Sequence, residues 1–436
     1  MVECSKKYRL RPVVAAAVIC AVFLYSGIIP AKKTCFYAGI IPKENVTVLK
    51  GKVVSNPVKN ASTGSYICDF RTEYAESKTK GINAECRGTV RLVLPPAFVE
   101  AFFPGKLYSQ SAAGSPSGSG AVLCDTGAVL EVTGAFFRNG GEETFLAKNV
   151  RQLPWNTTLF GKISRFRALF RLKFRRIMFY WNEAGGLFLA LISGIREYTD
   201  QSAADSFRRA GLSHILALSG MHLSLFSGIT AKISHKTGKK AEFIFQFAAI
   251  VLFVWFAGLS PSLFRALLCS TITLFCSMLR IKSLKPLDIL SASFLIHCVI
   301  FPADAFKTAF LLSYGALLGI LLFSEFFTRI LIRTVPPSCA SAIGASTGAQ
   351  SLTAPVSIKC FGTFAPVGII STAVISPLIT FFIFSGLFSL IISFAFPFFA
   401  PAAAFFMNLV YTVIIKSVRL FAFVRNKFFF ARVMPT

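Results

Sequence analysis

Long apolar runs alternate with short basic segments through the second half of the chain. The runs cover residues 243–259, 263–279, 287–301, 306–323 and, with four interrupting prolines, 361–424. Runs of this length predict membrane-spanning helices, and the prolines mark helix ends or kinks. The composition agrees, because 54% of the residues are hydrophobic and the mean hydropathy is +0.64. The pattern therefore predicts a polytopic α-helical membrane protein.

The N-terminal third has a different pattern. A basic flank precedes an apolar run at 13–30, and no small-x-small cleavage site follows the run. Residues 1–31 are therefore predicted to form an uncleaved membrane anchor helix with a cytoplasmic N-terminus. Residues 45–153 alternate apolar and polar side chains, as at Val90 and Leu92. This period of two predicts strands, and hence a small extracytoplasmic β domain.

Residues 159–182 carry a dense set of cations. Seven lysines and arginines and no acid lie between Gly161 and Tyr180, with apolar side chains interleaved. The spacing predicts a basic amphipathic interfacial helix. Two partners stay open for it: anionic lipid headgroups, or phosphates collected at a channel mouth.

The chain carries a large surplus of positive charge. Lysine and arginine number 46 against 19 acids, which gives a formal net charge of +27. Positive-inside topology accounts for part of the surplus, and the remainder favours a polyanionic partner. Basic clusters at 232–240, 280–285, 329–333 and 419–432 are predicted to be cytoplasmic ends, and residues 425–436 to be a short basic tail.

Four of the eleven cysteines lie in the polar N-terminal third. They are Cys35, Cys68, Cys86 and Cys124. No Cys-x-x-Cys spacing occurs, which disfavours a structural zinc site. An extracytoplasmic location would allow one or two disulfides, whose pairing the sequence leaves open.

Three motifs stand out in the apolar half. They read Gly-Leu-Ser-His-Ile-Leu-Ala-Leu-Ser-Gly-Met-His at 211–222, Leu-Ser-Pro-Ser-Leu-Phe-Arg-Ala at 259–266, and Phe-Leu-Leu-Ser-Tyr-Gly-Ala-Leu-Leu-Gly at 310–319. Together they resemble the signature elements of the ComEC family, the inner-membrane channel for DNA uptake in bacterial competence. The first match is near-complete and includes both histidines.

The resemblance implies an OB-like fold for the β domain and a ComEC-type competence transmembrane domain over residues 183–424. It implies a multi-pass protein of the bacterial inner membrane that conducts single-stranded DNA into the cytoplasm. The implied partners are single-stranded DNA, membrane lipids, a separate nuclease, a periplasmic DNA receptor and a cytoplasmic helicase or ATPase. Two rival functions stay open from the residues alone: a permease for a small solute or anion, and a non-transporting membrane scaffold.

The sequence also departs from the family pattern. Leu311 stands where the family has Gln, and Thr372 stands where it often has Asn before Pro377. Many members end in a metallo-β-lactamase-like domain with clustered metal ligands, whereas no histidine follows His297 here. Metal-dependent hydrolysis needs several convergent histidines and carboxylates. We therefore expect no enzymatic activity, no metal and no cofactor.

The first motif supplies most of the candidate site residues. Read as one continuous helix, it places small residues on one packing stripe, namely Ser213, Ala217, Gly220, Ser224 and Gly228. Another face carries polar residues that we predict to line the channel. The predicted DNA-contacting and lining residues are Arg208, Arg209, His214, Ser219, His222, Arg265 and Ser313.

Two catalytic interpretations are disfavoured. On one continuous helix His214 and His222 are about 12 Å apart, too far to share an ion with bonds near 2 Å. Asp205, His214 and Ser219 are the residue types of a nucleophilic triad, but the Gly-x-Ser-x-Gly nucleophile elbow does not occur there.

Overall fold

The computed structural model describes residues 12–26, 36–60, 63–77, 82–100, 123–139, 142–218, 220–234, 238–281, 284–362 and 365–428. The chain divides into two compact units. We call residues 33–200 and 385–411 the barrel unit, and residues 1–32, 201–384 and 412–436 the membrane unit.

Seven strands form the sheet of the barrel unit. Their bounds are β1 Phe36–Gly39, β2 Val48–Val53, β3 Val58–Lys59, β4 Tyr66–Ser77, β5 Ile82–Leu94, β6 Val129–Asn139 and β7 Glu142–Gln152. Five of them pair in a closed circuit, β2–β4–β5–β7–β6 and back to β2, in which only the β5–β7 pairing is parallel. β1 and β3 extend β5 and β4. A closed five-stranded barrel confirms the predicted OB-like domain.

Alternating buried and partly covered side chains, together with two glycines, explain why the strands close into a barrel. Val90, Leu92 and Leu94 on β5 point into a fully buried core, while their neighbours are only partly covered. The pairing register shifts at Gly51 and at Gly134. A Cβ at either glycine would overlap a backbone carbonyl oxygen of the paired strand. These bulges let adjacent strands approach and bend as closure requires.

The barrel contains free thiols in the structure. Cys68, Cys86 and Cys124 are buried and unbridged, whereas Cys35 lies outside the described residues. A hydrogen bond between the Cys68 and Cys124 side chains, together with burial, raises the pKa of the Cys68 thiol well above its usual value. Cys68 and Cys124 are therefore neighbours in the barrel core.

Helices make up the remainder of the described chain. Their bounds are α1 Pro12–Tyr25, α2 Pro96–Glu100, α3 Leu159–Phe179, α4 Asn182–Ser193, α5 Gln201–Arg209, α6 Ser213–Leu216, α7 Gly220–Ser234, α8 Lys239–Ala257, α9 Pro261–Met278, α10 Pro286–Ile300, α11 Thr308–Leu331, α12 Pro337–Phe361, α13 Gly368–Ala395 and α14 Ala400–Phe428. Five of these, α8, α9, α11, α13 and α14, are long and apolar enough to cross a membrane. The prediction of a polytopic helical membrane protein is confirmed.

Helix α12 is an element that the apolar pattern did not predict. Its sequence is rich in Ser, Thr, Ala and Gly, yet it runs for 25 residues and packs along α11. The contact depends on glycine: a Cβ on Gly319 would overlap the carbonyl oxygen of Gly348. A Cβ on Gly344 would likewise overlap the Thr328 hydroxyl. Small residues thus bring the two backbones together in place of large apolar side chains.

Candidate functional site

The first motif is a broken helix in the structure. Gly211 adopts a left-handed conformation with φ of 74°, and the short α6 begins two residues later. At Ala217 the backbone is extended, with φ −79° and ψ 137°, before α7 begins at Gly220. The continuous helix assumed from the sequence is therefore wrong, and faces calculated at 100° per residue do not carry across Ala217.

The break in the first motif lies against the second motif. Pro261 begins α9, and the Ser260 hydroxyl accepts a hydrogen bond from the Leu263 amide, so the helix starts with a proline and a capping serine. The Ser262 hydroxyl donates to the Leu218 carbonyl over 2.9 Å. This bond satisfies a backbone acceptor that the interrupted helix leaves free.

Arg265 joins all three motifs. It lies about one turn into α9, and its Nε donates to the Ser313 hydroxyl on α11 over 2.7 Å. One of its terminal nitrogens is 3.2 Å from the position that a Cβ would take on Gly220. Within the described ranges no carboxylate forms an ion pair with this half-buried guanidinium. A cation in a candidate membrane span is thus held by a neutral hydroxyl.

A second junction lies at the start of the motif. Gly211 packs against Gly368 at the first turn of α13, and the Ser371 hydroxyl donates to the Ala210 carbonyl over 2.7 Å. The Gln350 amide nitrogen of α12 would be 3.1 Å from a Cβ on Gly368. The Gln350 carbonyl oxygen is buried and has no hydrogen-bond partner in the described part of the chain. The junction therefore brings a polar amide beside the motif.

The remaining predicted lining residues do not form one group. Arg208 and Arg209 are exposed at the end of α5, where Arg208 pairs with Asp205 over 2.9 Å. His214 is exposed on α6, whereas His222 is fully buried on α7. Ser219 lies outside the described residues. Of the predicted lining set, Arg265 and Ser313 are brought into direct contact.

The residues of the predicted packing stripe also do not share one environment. Gly220 lies against Arg265 and Ala266, so it makes a close helix contact. Gly228 faces open space, and the Ser224 hydroxyl donates to the Met221 carbonyl of its own helix. The structure leaves Ser213 exposed and Ala217 half-buried.

No metal-binding arrangement occurs in the residues that the structure describes. There, no group of three or more histidines, cysteines and carboxylates lies close enough to hold an ion.

One buried polar group escaped the sequence reasoning. His297 on α10 is fully buried; its Nδ1 lies 3.3 Å from the Tyr314 hydroxyl and its Nε2 lies 3.4 Å from an Asp304 carboxylate oxygen. The Tyr314 hydroxyl in turn donates to the Ser293 carbonyl over 3.1 Å. Tyr314 follows Ser313 directly in the third motif, which is the signal that could have drawn attention to this network.

Comparison with known proteins adds a family and one relative. The sequence profile described as Competence protein matches residues 191–434. The chain is also 24% identical over 206 residues to ComE operon protein 3 of Bacillus subtilis (strain 168). That match covers 47% of this chain and 26% of the relative. No solved structure matches.

Proposed function

Because this chain belongs to the Competence protein family, we propose that it acts in DNA uptake and conducts single-stranded DNA through the bacterial inner membrane into the cytoplasm. The proposed orientation has a cytoplasmic N-terminus and an extracytoplasmic barrel. It follows from the basic flank before α1 and the basic clusters at predicted cytoplasmic ends.

The observation that supports this proposal is that Arg265 is held by a neutral hydrogen-bond partner. A charged side chain inside a membrane-spanning helix is costly, about 2.5–3.5 kcal/mol at the helix centre by insertion scales, and such residues normally pair with one another or with backbone carbonyls. Arg265 instead contacts the neutral Ser313 hydroxyl. A guanidinium held without a carboxylate leaves its charge available to an anionic ligand, and phosphate is an anion that arginine can bind in a bidentate fork geometry.

The three motifs explain how that charge is held. Ser313 fixes the Nε side of the guanidinium, and the absent side chain of Gly220 leaves space beside a terminal nitrogen. The broken helix is anchored to α9 through Ser262. A strand that carries one negative charge per nucleotide would meet this cation in passing.

The proposal requires no covalent chemistry by this chain. The pore residues would act on the passing strand by electrostatic attraction and close fit. Strand degradation, delivery of DNA and energy supply would then belong to a separate nuclease, a periplasmic receptor and a cytoplasmic helicase or ATPase.

A second function is favoured by the same contact. One cation and one hydroxyl together also suit a small anion, so an anion permease is the alternative. The two functions differ in how uptake depends on the length of the transported molecule. A DNA channel accepts a polymer, whereas a permease for a small anion does not transport one.

The test compares cells that carry the wild-type gene with cells that carry Arg265→Ala, scored for labelled DNA in the cytoplasm and for protein in the membrane. We expect Arg265→Ala to reach normal abundance and to reduce DNA arrival at least about tenfold, the equivalent of about 1.4 kcal/mol. Arg333→Ala is the matched control, because Arg333 is exposed just after α11. Normal DNA arrival with Arg265→Ala at normal abundance would show that the phosphate-contact role is wrong.

A further inference from the structure

Helix α3 follows the barrel strands directly and carries cations on two opposite faces. The Thr158 hydroxyl caps its first turn by accepting from the Gly161 amide over 3.3 Å. Its 21 residues are not among the five candidate spans. The helix lies in the barrel unit, and it is long enough for a membrane span but too highly charged to count as a candidate.

The inward face of α3 is attached to the barrel by charge. Arg167 Nη1 lies 2.9 Å from one Asp125 oxygen, and Arg171 Nε lies 3.1 Å from the other. Asp125 stands just before β6, and all three side chains are almost fully buried. Burial lowers the pKa of the Arg171 guanidinium, and the Asp125 carboxylate opposes that shift. A buried ion pair of this kind fixes which face of α3 points outward.

The outward face of α3 is unusually apolar for a helix that packs beside a barrel. Phe166 is 62% exposed and Phe170 is 48% exposed. The further large apolar side chains that this face exposes are Leu159, Ile163 and Leu169. Contiguous exposed apolar side chains are typical of protein or membrane contact surfaces.

Four cations accompany these apolar residues. They are Lys162, Arg165, Lys173 and Arg176, all exposed. At 100° per residue, Leu159, Ile163, Phe166 and Phe170 fall within about 60° of one another, and the four cations, with Leu169 among them, occupy the adjoining arc of about 80°. The exposed surface therefore has an apolar half and a basic half side by side. We call it the outward face of α3.

We infer that the outward face of α3 lies in the headgroup layer of an anionic membrane, with its apolar half at the acyl boundary and its four cations among lipid phosphates. Interfacial helices combine these two halves, and basic residues near an anionic leaflet strengthen the attachment. The barrel would then be held at a fixed height above the bilayer. The inference does not depend on the proposed passage of DNA.

Lipid suits this face better than a nucleic acid strand does. Bases stack on aromatic rings, but Leu159, Ile163 and Leu169 offer no ring. The rings of Phe166 and Phe170 already lie nearly parallel to each other, 6.2 Å apart at 18°. Acyl chains, by contrast, can cover aliphatic and aromatic side chains alike.

The test measures the depth of α3 in the full chain, reconstituted in lipid nanodiscs. A fluorescent coumarin amino acid replaces Phe166, and in a matched control it replaces Tyr74, an exposed aromatic residue on β4. Lipids brominated in the acyl chain quench only fluorophores at the membrane. We expect quenching at position 166 and none at position 74, and we expect the quenching at 166 to be severalfold stronger with phosphatidylglycerol present than with phosphatidylcholine alone.

A charge variant and a DNA competitor complete the design. Replacing Lys162, Arg165, Lys173 and Arg176 by glutamine should remove the effect of phosphatidylglycerol, while the fluorescence melting curve of the barrel stays unchanged. Absence of quenching at 166, equal quenching at both positions, or indifference to phosphatidylglycerol would overturn the inference. Loss of quenching when a short single-stranded oligonucleotide is added would assign the face to DNA instead.

Discussion

Arginine is held in two opposite ways in the two units of this molecule. In the barrel unit, Arg167 and Arg171 are almost fully buried and share the carboxylate of Asp125. In the membrane unit, half-buried Arg265 meets the hydroxyl of Ser313. A carboxylate neutralises its partner and fixes a structure, whereas a hydroxyl orients a cation and leaves its charge available. The comparison separates arginines that hold the fold from the one that we propose to contact phosphate.

The largest effect is expected from Asp125→Ala. Removing one partner of a buried ion pair leaves uncompensated charge and typically costs about 3–5 kcal/mol. Urea unfolding followed by the fluorescence of Trp155, which packs against the barrel core, measures that loss. Glu131→Ala is the control, since its 3.8 Å pair with Lys50 is partly exposed and should contribute less than about 1 kcal/mol. Equal losses in the two variants would mean that the buried pair does not hold α3.

The next largest effect is expected from overpacking a close helix contact in the membrane unit. Gly220→Leu places a branched side chain where a Cβ alone would lie 3.2 Å from Arg265 and 3.3 Å from Ala266. Overpacking of this kind costs about 1–3 kcal/mol, so the amount of protein in the membrane should fall. Gly228→Leu is the matched control, because Gly228 faces open space and the variant should accumulate normally. If both variants accumulate equally, the close approach at Gly220 is not essential.

A smaller effect is expected from Ser313→Ala. The substitution removes the hydroxyl that orients Arg265 but leaves its positive charge in place. DNA arrival should fall less than it does for Arg265→Ala. Ser351→Ala, whose hydroxyl bonds only within its own helix, should leave uptake unchanged. A loss as large as that of Arg265→Ala would show that orientation matters as much as charge.

The smallest effect concerns thiol reactivity in the barrel. The raised pKa of Cys68 means that less thiolate is present at neutral pH, and only the thiolate reacts quickly with iodoacetamide. At neutral pH, alkylation of Cys68 should therefore be slower than that of exposed Cys339. Mass spectrometry of the two peptides over a pH series measures this difference. Rapid alkylation of native Cys68 at neutral pH would contradict the buried thiol pair.

Sequence patterns predicted the apolar helices well because hydropathy directly reflects the free energy of transfer into lipid. The run at 263–279 became the candidate span α9, Pro261–Met278, whereas the run at 287–301 became α10, Pro286–Ile300, a shorter apolar helix outside the five candidate spans. Helix α12 was missed because its association depends on glycines, which contribute shape and little hydrophobicity. Periodicity cannot detect such a helix.

The candidate site was predicted only in part. The motifs drew attention to Arg265 and Ser313, but their contact joins residues 48 positions apart and needed the fold. The break at Ala217 was missed because Leu216 and Leu218 are good helix formers, although the Ser-Gly step that follows them is a turn signal. The ion pair of Arg167 was not predicted either, because Asp125 lies 42 positions away in the sequence. The cations of α3 looked equivalent until burial divided them.

The glycine contact between α11 and α12 also has a consequence for permeation. Where Gly319 and Gly348 meet, each backbone occupies the space that a side chain would need on the other. Two helices this close leave no gap between them at that level for a lipid tail, a water molecule or a nucleotide. The proposed route for DNA would therefore run between other helices than α11 and α12 at this level.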